Sequence, residues 1–292
     1  MLLIAGFVLI VVAVAWAVNL LLGYGVVGLI IALVVAGVGS FIAYWKSDSV
    51  ALAISHARPA DPQQYARLHN VVEGLCIAAG LPKPRVYIID DPAPNAFATG
   101  RNPRHAAIAV TTGLLDKMTR IELEGVLAHE LSHVKNYDVL VSTLAVTLVG
   151  VVVLLADWTV RFIWLGGGRR GSSNGGGDGG NAAAPLAFVG LALLILAPLF
   201  ARLMQFAVSR RRESLADVSG VALTRYPPGL ISALEKLKAD KTVVHFNSRA
   251  TAHLWIESPL AREPREGPFS RLNRLFDTHP PLDDRIKVLK EL

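Results

Sequence analysis

Residues 129–133 of the 292-residue chain read His-Glu-Leu-Ser-His. On a helix, positions i and i+4 share one face. His129 and His133 can therefore bind one Zn2+ through their imidazoles, with Glu130 beside them as a general base. This is the HExxH pattern. The surrounding helix carries Leu123, Val126, Leu127 and Leu131, which places the motif in a partly buried segment. Unpaired His and Glu would be costly there.

A catalytic zinc needs a third protein ligand and an open position. Residues 209–217 read SRRRESLAD, with Glu213 and Asp217 at i, i+4. Glu213 can be that ligand, and Asp217 can accept the free ring N–H of a ligand histidine, His129 for preference, fixing its tautomer. Taken in isolation, the segment reads better as a charged helix face in which Glu213 pairs Arg210 or Arg212. Its distance from an apolar run tips the reading towards metal. His133 lies six residues before Val139, where one run starts, and Glu213 five residues after Val208, where another can end. At ~1.5 Å per residue, both would rise about 7–9 Å from a bilayer and meet at one metal. His56, His69, His105, His245 and His253 lack any such partner spacing.

Those apolar runs dominate the composition. Hydrophobic residues make up 52% of the chain and charged residues 18%, against about 25% charged in soluble domains. Disorder is excluded, because it needs low hydrophobicity. No charged residue precedes Lys46. Two spans, about 2–21 and 25–45, fit this stretch, with the Gly23-Tyr24-Gly25 turn between them. A cleaved signal peptide would need a basic start and a shorter apolar core. Residues 139–156 and 182–201 are further uncharged runs, the second able to continue to 208. Each also reads as a buried or surface helix, since the first holds Ser142 and Thr143 and the second Pro185 and Pro198. Between them, residues 166–181 (GGGRRGSSNGGGDGGN) form a flexible linker.

The expected layout follows: a membrane hairpin over 1–45, one catalytic part over 46–138, spans over 139–165 and 182–208, and a second catalytic part over 209–292. The two polar parts lie on one side with 26 of the 29 Lys and Arg. The positive-inside rule puts them in the cytoplasm. Net charge is +6, and the excess sits in 202–292. It reads as attraction to anionic lipid, since no nucleic-acid motif accompanies it. The lone Cys76 excludes an internal disulfide and a cysteine metal site. Helices are expected over 62–79, 120–136, 205–223 and 228–238, and strands over 85–90 and 106–112. This is an α+β fold, mostly α.

Four motifs in order, NAFATG at 95–100, HELSH at 129–133, SRRRESLAD at 209–217 and THPPLDDRI at 278–286, resemble the HtpX family of membrane-bound zinc metalloproteases. More distantly the chain is similar to the CAAX prenyl endoprotease and Oma-type proteases. The resemblance covers nearly the whole chain. It implies a membrane zincin with one Zn2+ held by His129, His133 and Glu213, and Glu130 as general base. It implies that Asn95 lies beside the strand that binds substrate, and that His279 and Arg285 lie near the catalytic centre. It also implies quality control of damaged membrane proteins. The family often has an aromatic residue just after the ligand Glu, where this chain has Ser214-Leu215. Alternatives stay open at three positions. Asn95 can be a turn residue, His279 a helix cap, and Arg285 a partner of Asp283 or Glu291.

The expected reaction is peptide-bond hydrolysis of membrane proteins at the cytoplasmic face of the cell membrane. An extended substrate is expected along the sheet edge at Ala106–Thr112, and His279 or Arg285 is expected to stabilise the oxyanion. A transporter would place ionisable residues inside its spans, and these runs contain none. A catalytically dead scaffold would not need His129, Glu130, His133 and Glu213 together. Processing of prenylated C-termini belongs to larger relatives with more spans.

Overall fold

The structure is a computed structural model, and it describes residues 30, 34, 38, 41, 44–46, 48–142, 210–245, 254–257 and 280–292. The chain divides into two compact units. The first takes Met1–Tyr44 and Leu148–Leu203, and the second Trp45–Thr147 and Met204–Leu292. In the first, Ile30, Val34, Val38 and Phe41 are helical and 53–65% exposed. The expected spans fall almost wholly outside the described residues. Among the described residues, no helix is long and apolar enough to cross a membrane.

The second unit opens with a four-stranded sheet: β1 (Arg58–Pro59), β2 (Arg85–Ile89), β3 (Ala96–Gly100) and β4 (Ala106–Thr111), in the order β1-β2-β4-β3. Strand β2 pairs β4 in parallel, with Val86 opposite Ile108 and Ile88 opposite Val110. Strand β3 pairs β4 antiparallel, with Phe97 opposite Ala109. Every residue of β3 and β4 is buried. A strand covered on both faces has no polar–apolar alternation. That is why Ala96–Gly100 (AFATG) does not announce itself as a strand.

The pairing corrects one expectation. β4 is an interior strand, and the sheet edge facing away from β2 belongs to β3. That edge is itself covered. Trp255 bridges Phe97, and the Ile256 amide donates to the Ala96 carbonyl at 3.0 Å. Trp255 and Ile256 are at most 1% exposed and their rings and chains belong to the core.

Among the described residues, the helices packed with the sheet include α1 (Ala66–Ala79), α2 (Thr112–Lys117), α3 (Arg120–Lys135), α4 (Arg210–Thr224), α5 (Pro227–Ala239) and α6 (Leu282–Lys290). Helix α1 ends at Gly80, whose φ of 67° is open to glycine at no steric cost. Helix α3 starts in a full capping box. Thr119 accepts from the Glu122 amide, and the Glu122 carboxylate accepts from the Thr119 amide. Glu122 also accepts from Ser232 and Lys236 of α5, which pins the two helices together.

Helix α3 is the centre of this unit. Residues 122, 123, 125–132 and 134 are all buried, so it has no solvent face over most of its length. Its partners are α1, α4, α5 and β3. Two glycines allow that closeness. A Cβ on Gly125 would lie 2.7 Å from the Leu230 amide of α5, and one on Gly220 of α4 would lie 2.9 Å from the His129 amide.

Candidate active site

His129 and Glu130 sit in the buried middle of α3, and His133 one turn later. Helix α4 runs beside them. Glu213, Asp217 and Gly220 fall at i, i+4 and i+7, so all three face α3. Gly220 makes the contact, and Glu213 reaches the histidines two turns earlier.

The donor atoms converge. His133 Nε2 is 3.2 Å from His129 Nε2, and Glu213 oxygens lie 3.4 Å from His133 Nε2 and 3.8 Å from His129 Nε2. Ligand atoms of a tetrahedral Zn2+ with bonds near 2.0–2.1 Å stand about 3.3 Å apart. The three residues therefore fit zinc in spacing and in chemistry. Among the described residues, they form the one group of three or more His, Cys, Asp or Glu placed to hold a metal.

Electrostatics agree with geometry. Burial disfavours a charged His133, yet Glu213, Asp138 and Glu130 raise its pKa to about 9. Such a surplus of negative charge is what a cation neutralises. His129 behaves in the opposite way. Burial, and next the Arg285 guanidinium, lower it to about 4, so it is neutral at pH 7. Asp217 Oδ1 lies 2.9 Å from His129 Nδ1, the hydrogen bond expected from the i, i+4 spacing. With the proton on Nδ1, the Nε2 lone pair faces His133 and Glu213.

Arg285 lies elsewhere than its own helix suggested. It pairs neither Asp283 nor Glu291. Its Nε and Nη2 donate to Asp217 at 2.9 and 2.6 Å, and Nη1 donates to the Ile256 carbonyl at 3.2 Å. Its side chain is 1% exposed. The guanidinium lies against the His129 ring, with Nη2 3.3 Å from Nδ1 and 3.5 Å from Nε2. It holds the Asp217 carboxylate, whose pKa falls to about 2: burial raises it, but the Arg285 and His129 charges outweigh burial.

Asn95 is spent in a similar way. Its Nδ2 donates to the Glu257 carbonyl at 2.9 Å, and its Oδ1 accepts from the Ala96 amide at 3.0 Å and the Glu257 amide at 3.4 Å. The amide latches residues 254–257 to the sheet. His279 lies outside the described residues.

Two contributors escaped sequence reading. Gly220 was signalled only by its i+7 place on the Glu213–Asp217 face. Asp138 lies beyond the expected helix end at Asn136, where no spacing ties it to His133. In fact α3 stops at Lys135, Tyr137 takes a left-handed φ of 61°, and Asp138 Oδ2 comes back to 3.1 Å from His133 Nδ1.

Residues 62–292 match the model of peptidase family M48. The chain belongs to peptidase family M48. It is 44% identical to the protease HtpX homolog of Thermoanaerobacter pseudethanolicus over 269 residues, covering 92% of this chain and 86% of that protein. The HtpX homologs of Listeria monocytogenes (45%, covering 91% and 86%) and Tropheryma whipplei (47%, covering 86% and 81%) are similar. Among solved structures, Ste24p of S. mikatae aligns at 18% identity with a TM-score of 0.48, covering 86% of this chain and 56% of Ste24p. The chain is thus a metalloprotease, and zinc is the metal of this M48 site.

Proposed function

We propose that His129, His133 and Glu213 are the zinc ligands and Glu130 the general base of an endopeptidase acting on membrane-associated or misfolded proteins close to the cytoplasmic surface of the cell membrane. The convergence of three donor atoms at about tetrahedral spacing carries this reading. Zinc held by these three residues would supply Lewis acidity and would lower the pKa of a water at the site. Glu130, next to His129 on α3 and 2% exposed, takes the proton from that water and delivers it to the leaving amine. Asp217 holds the His129 tautomer, and Arg285 holds Asp217. His279 or Arg285 stabilises the oxyanion, and the engagement of Arg285 by Asp217 favours His279. Asn95 serves substrate binding indirectly, by fixing residues 254–257 against β3.

Membrane attachment rests on the four uncharged runs and on the apolar face of Ile30, Val34, Val38 and Phe41. These side chains are more than half exposed to solvent at helical spacing, an arrangement that lipid would cover. The even number of runs and the Lys and Arg bias support a cytoplasmic catalytic unit. Cytoplasmic loops and unfolded segments of membrane proteins are the substrates in keeping with quality control.

The test is zinc content and casein cleavage by detergent-purified protein. Wild type is expected to hold about one zinc. Glu130→Gln should retain zinc and lose cleavage, and Glu213→Ala should lose both. Undiminished proteolysis by Glu130→Gln would sink the assignment of the base.

A further inference from the structure

We infer that Asp138 is a positioning residue for the metal site: it fixes the tautomer and aim of His133, as Asp217 does for His129, and couples α3 to α4. The inference rests on the ligand reading above.

The geometry begins where α3 ends. The Asn136 amide closes the last turn on Ser132, and the Tyr137 amide reaches the Val134 carbonyl at 3.3 Å. Tyr137 then takes φ 61°. A non-glycine residue there is strained and persists only when its surroundings hold it. The left-handed residue swings the chain so that Asp138, at the start of the next helical stretch, points back at α3. Asp138 is 8% exposed. Burying a carboxylate this far is unfavourable unless it is paired.

Both Asp138 oxygens are engaged. Oδ2 lies 3.1 Å from His133 Nδ1, and Oδ1 lies 3.6 Å from Arg212 Nη1. A ring N–H donated to a carboxylate leaves the other nitrogen as a lone pair. For His133 that nitrogen is Nε2, which faces His129 Nε2 and Glu213 Oε1. Arg212 immediately precedes Glu213 on α4. One carboxylate thus touches a ligand on the first helix and the neighbour of a ligand on the second. The two histidines are held by different means. The acceptor for His129 comes from the partner helix, and that for His133 from a strained turn of its own helix.

The experiment compares wild type, Asp138→Ala, Asp138→Asn and Glu213→Ala as full-length chains in detergent. Zinc affinity is read by chelator competition, ligand geometry by the visible absorption band of the Co2+ form, and integrity by thermal melting of the metal-free chains. Asp138→Ala is expected to weaken zinc binding about 10–100-fold and to shift the Co2+ band. Asp138→Asn keeps an oxygen acceptor and volume, so it should recover most of the affinity and the wild-type band. If the Ala variant does not fold, the near-isosteric Asn variant decides alone, since its band must match wild type. Three results overturn the inference. In the first, Asp138→Ala binds zinc as wild type does while Glu213→Ala has lost it, which leaves the ligand reading standing. In the second, Asp138→Asn is as weak as Asp138→Ala or has an altered band, so charge rather than a directed hydrogen bond is at work. In the third, wild type binds no zinc, and the ligand reading falls as well.

Discussion

A single guanidinium accounts for much of the order behind the metal site. Arg285 is buried among Asp217, the Ile256 carbonyl and the ring of His129. Its charge is favoured there chiefly by Asp217, against burial. Removing one partner of a buried ion pair leaves an uncompensated charge, which costs about 3–5 kcal/mol. Arg285→Ala should therefore lose stability on that scale in chemical denaturation and bind zinc less tightly, because Asp217 then turns from His129. Arg285→Lys should recover little, since one ammonium cannot make the forked contact to both Asp217 oxygens. Wild-type stability in Arg285→Ala would remove the residue from this role.

Elements set the distances that the side chains exploit. A methyl group on Gly220 would meet the His129 amide at 2.9 Å and its Cα at 3.1 Å, and backbone has nowhere to yield. Gly220→Ala is expected to push α4 from α3 and draw Glu213 away from the histidines. It should cost about 1–3 kcal/mol of stability, the usual penalty of overpacking, and lower bound zinc in a metal assay. At the far end of α3, Glu122 gives the same packing a pH dependence. Burial raises its pKa, but hydrogen bonds from Lys236, Ser232 and Thr119 prevail and hold it at about 2, below the ordinary 4.5. A depressed folded pKa means stability that is present above pH 4.5 and lost as pH falls from 4.5 towards 2. Glu122→Gln should lower the thermal midpoint at pH 7 and flatten its fall across that acid window. Parallel curves for variant and wild type would contradict this.

At the scale of the whole chain, the apolar runs and the catalytic unit are expected to behave as one membrane-bound enzyme. The protein should stay with the membrane pellet after an alkaline wash and be released by detergent. Recovery in the wash would overturn the membrane reading. Most helices and two principal strands were legible from spacing, with α3 found at 120–135 against an expected 120–136. The shared helix face of the candidate ligands was legible too, because i, i+4 spacing on a helix is local. His129 and His133 need nothing beyond their own helix to share a face. The start of α3 was equally local, being set by Thr119 and Glu122 three residues apart.

What only the tertiary structure decided involves segments remote in sequence. Arg285 meets Asp217 across 68 residues, and Asn95 meets Glu257 across 162. From sequence, Arg285 has acids on its own helix and Asn95 follows a proline, so nearby partners look sufficient. Burial removes that choice. Once both side chains lie in the core, each must satisfy its polar atoms with whatever the fold brings there. The same holds for β4, whose pattern cannot tell that β3 folds back over its free side. Asp138 is the mixed case: its contact is only five residues away, but it depends on Tyr137 adopting a left-handed turn. Local periodicity thus specifies which residues share a face, whereas the close packing of α3 against α4 and the covering of β3 decide what that face meets.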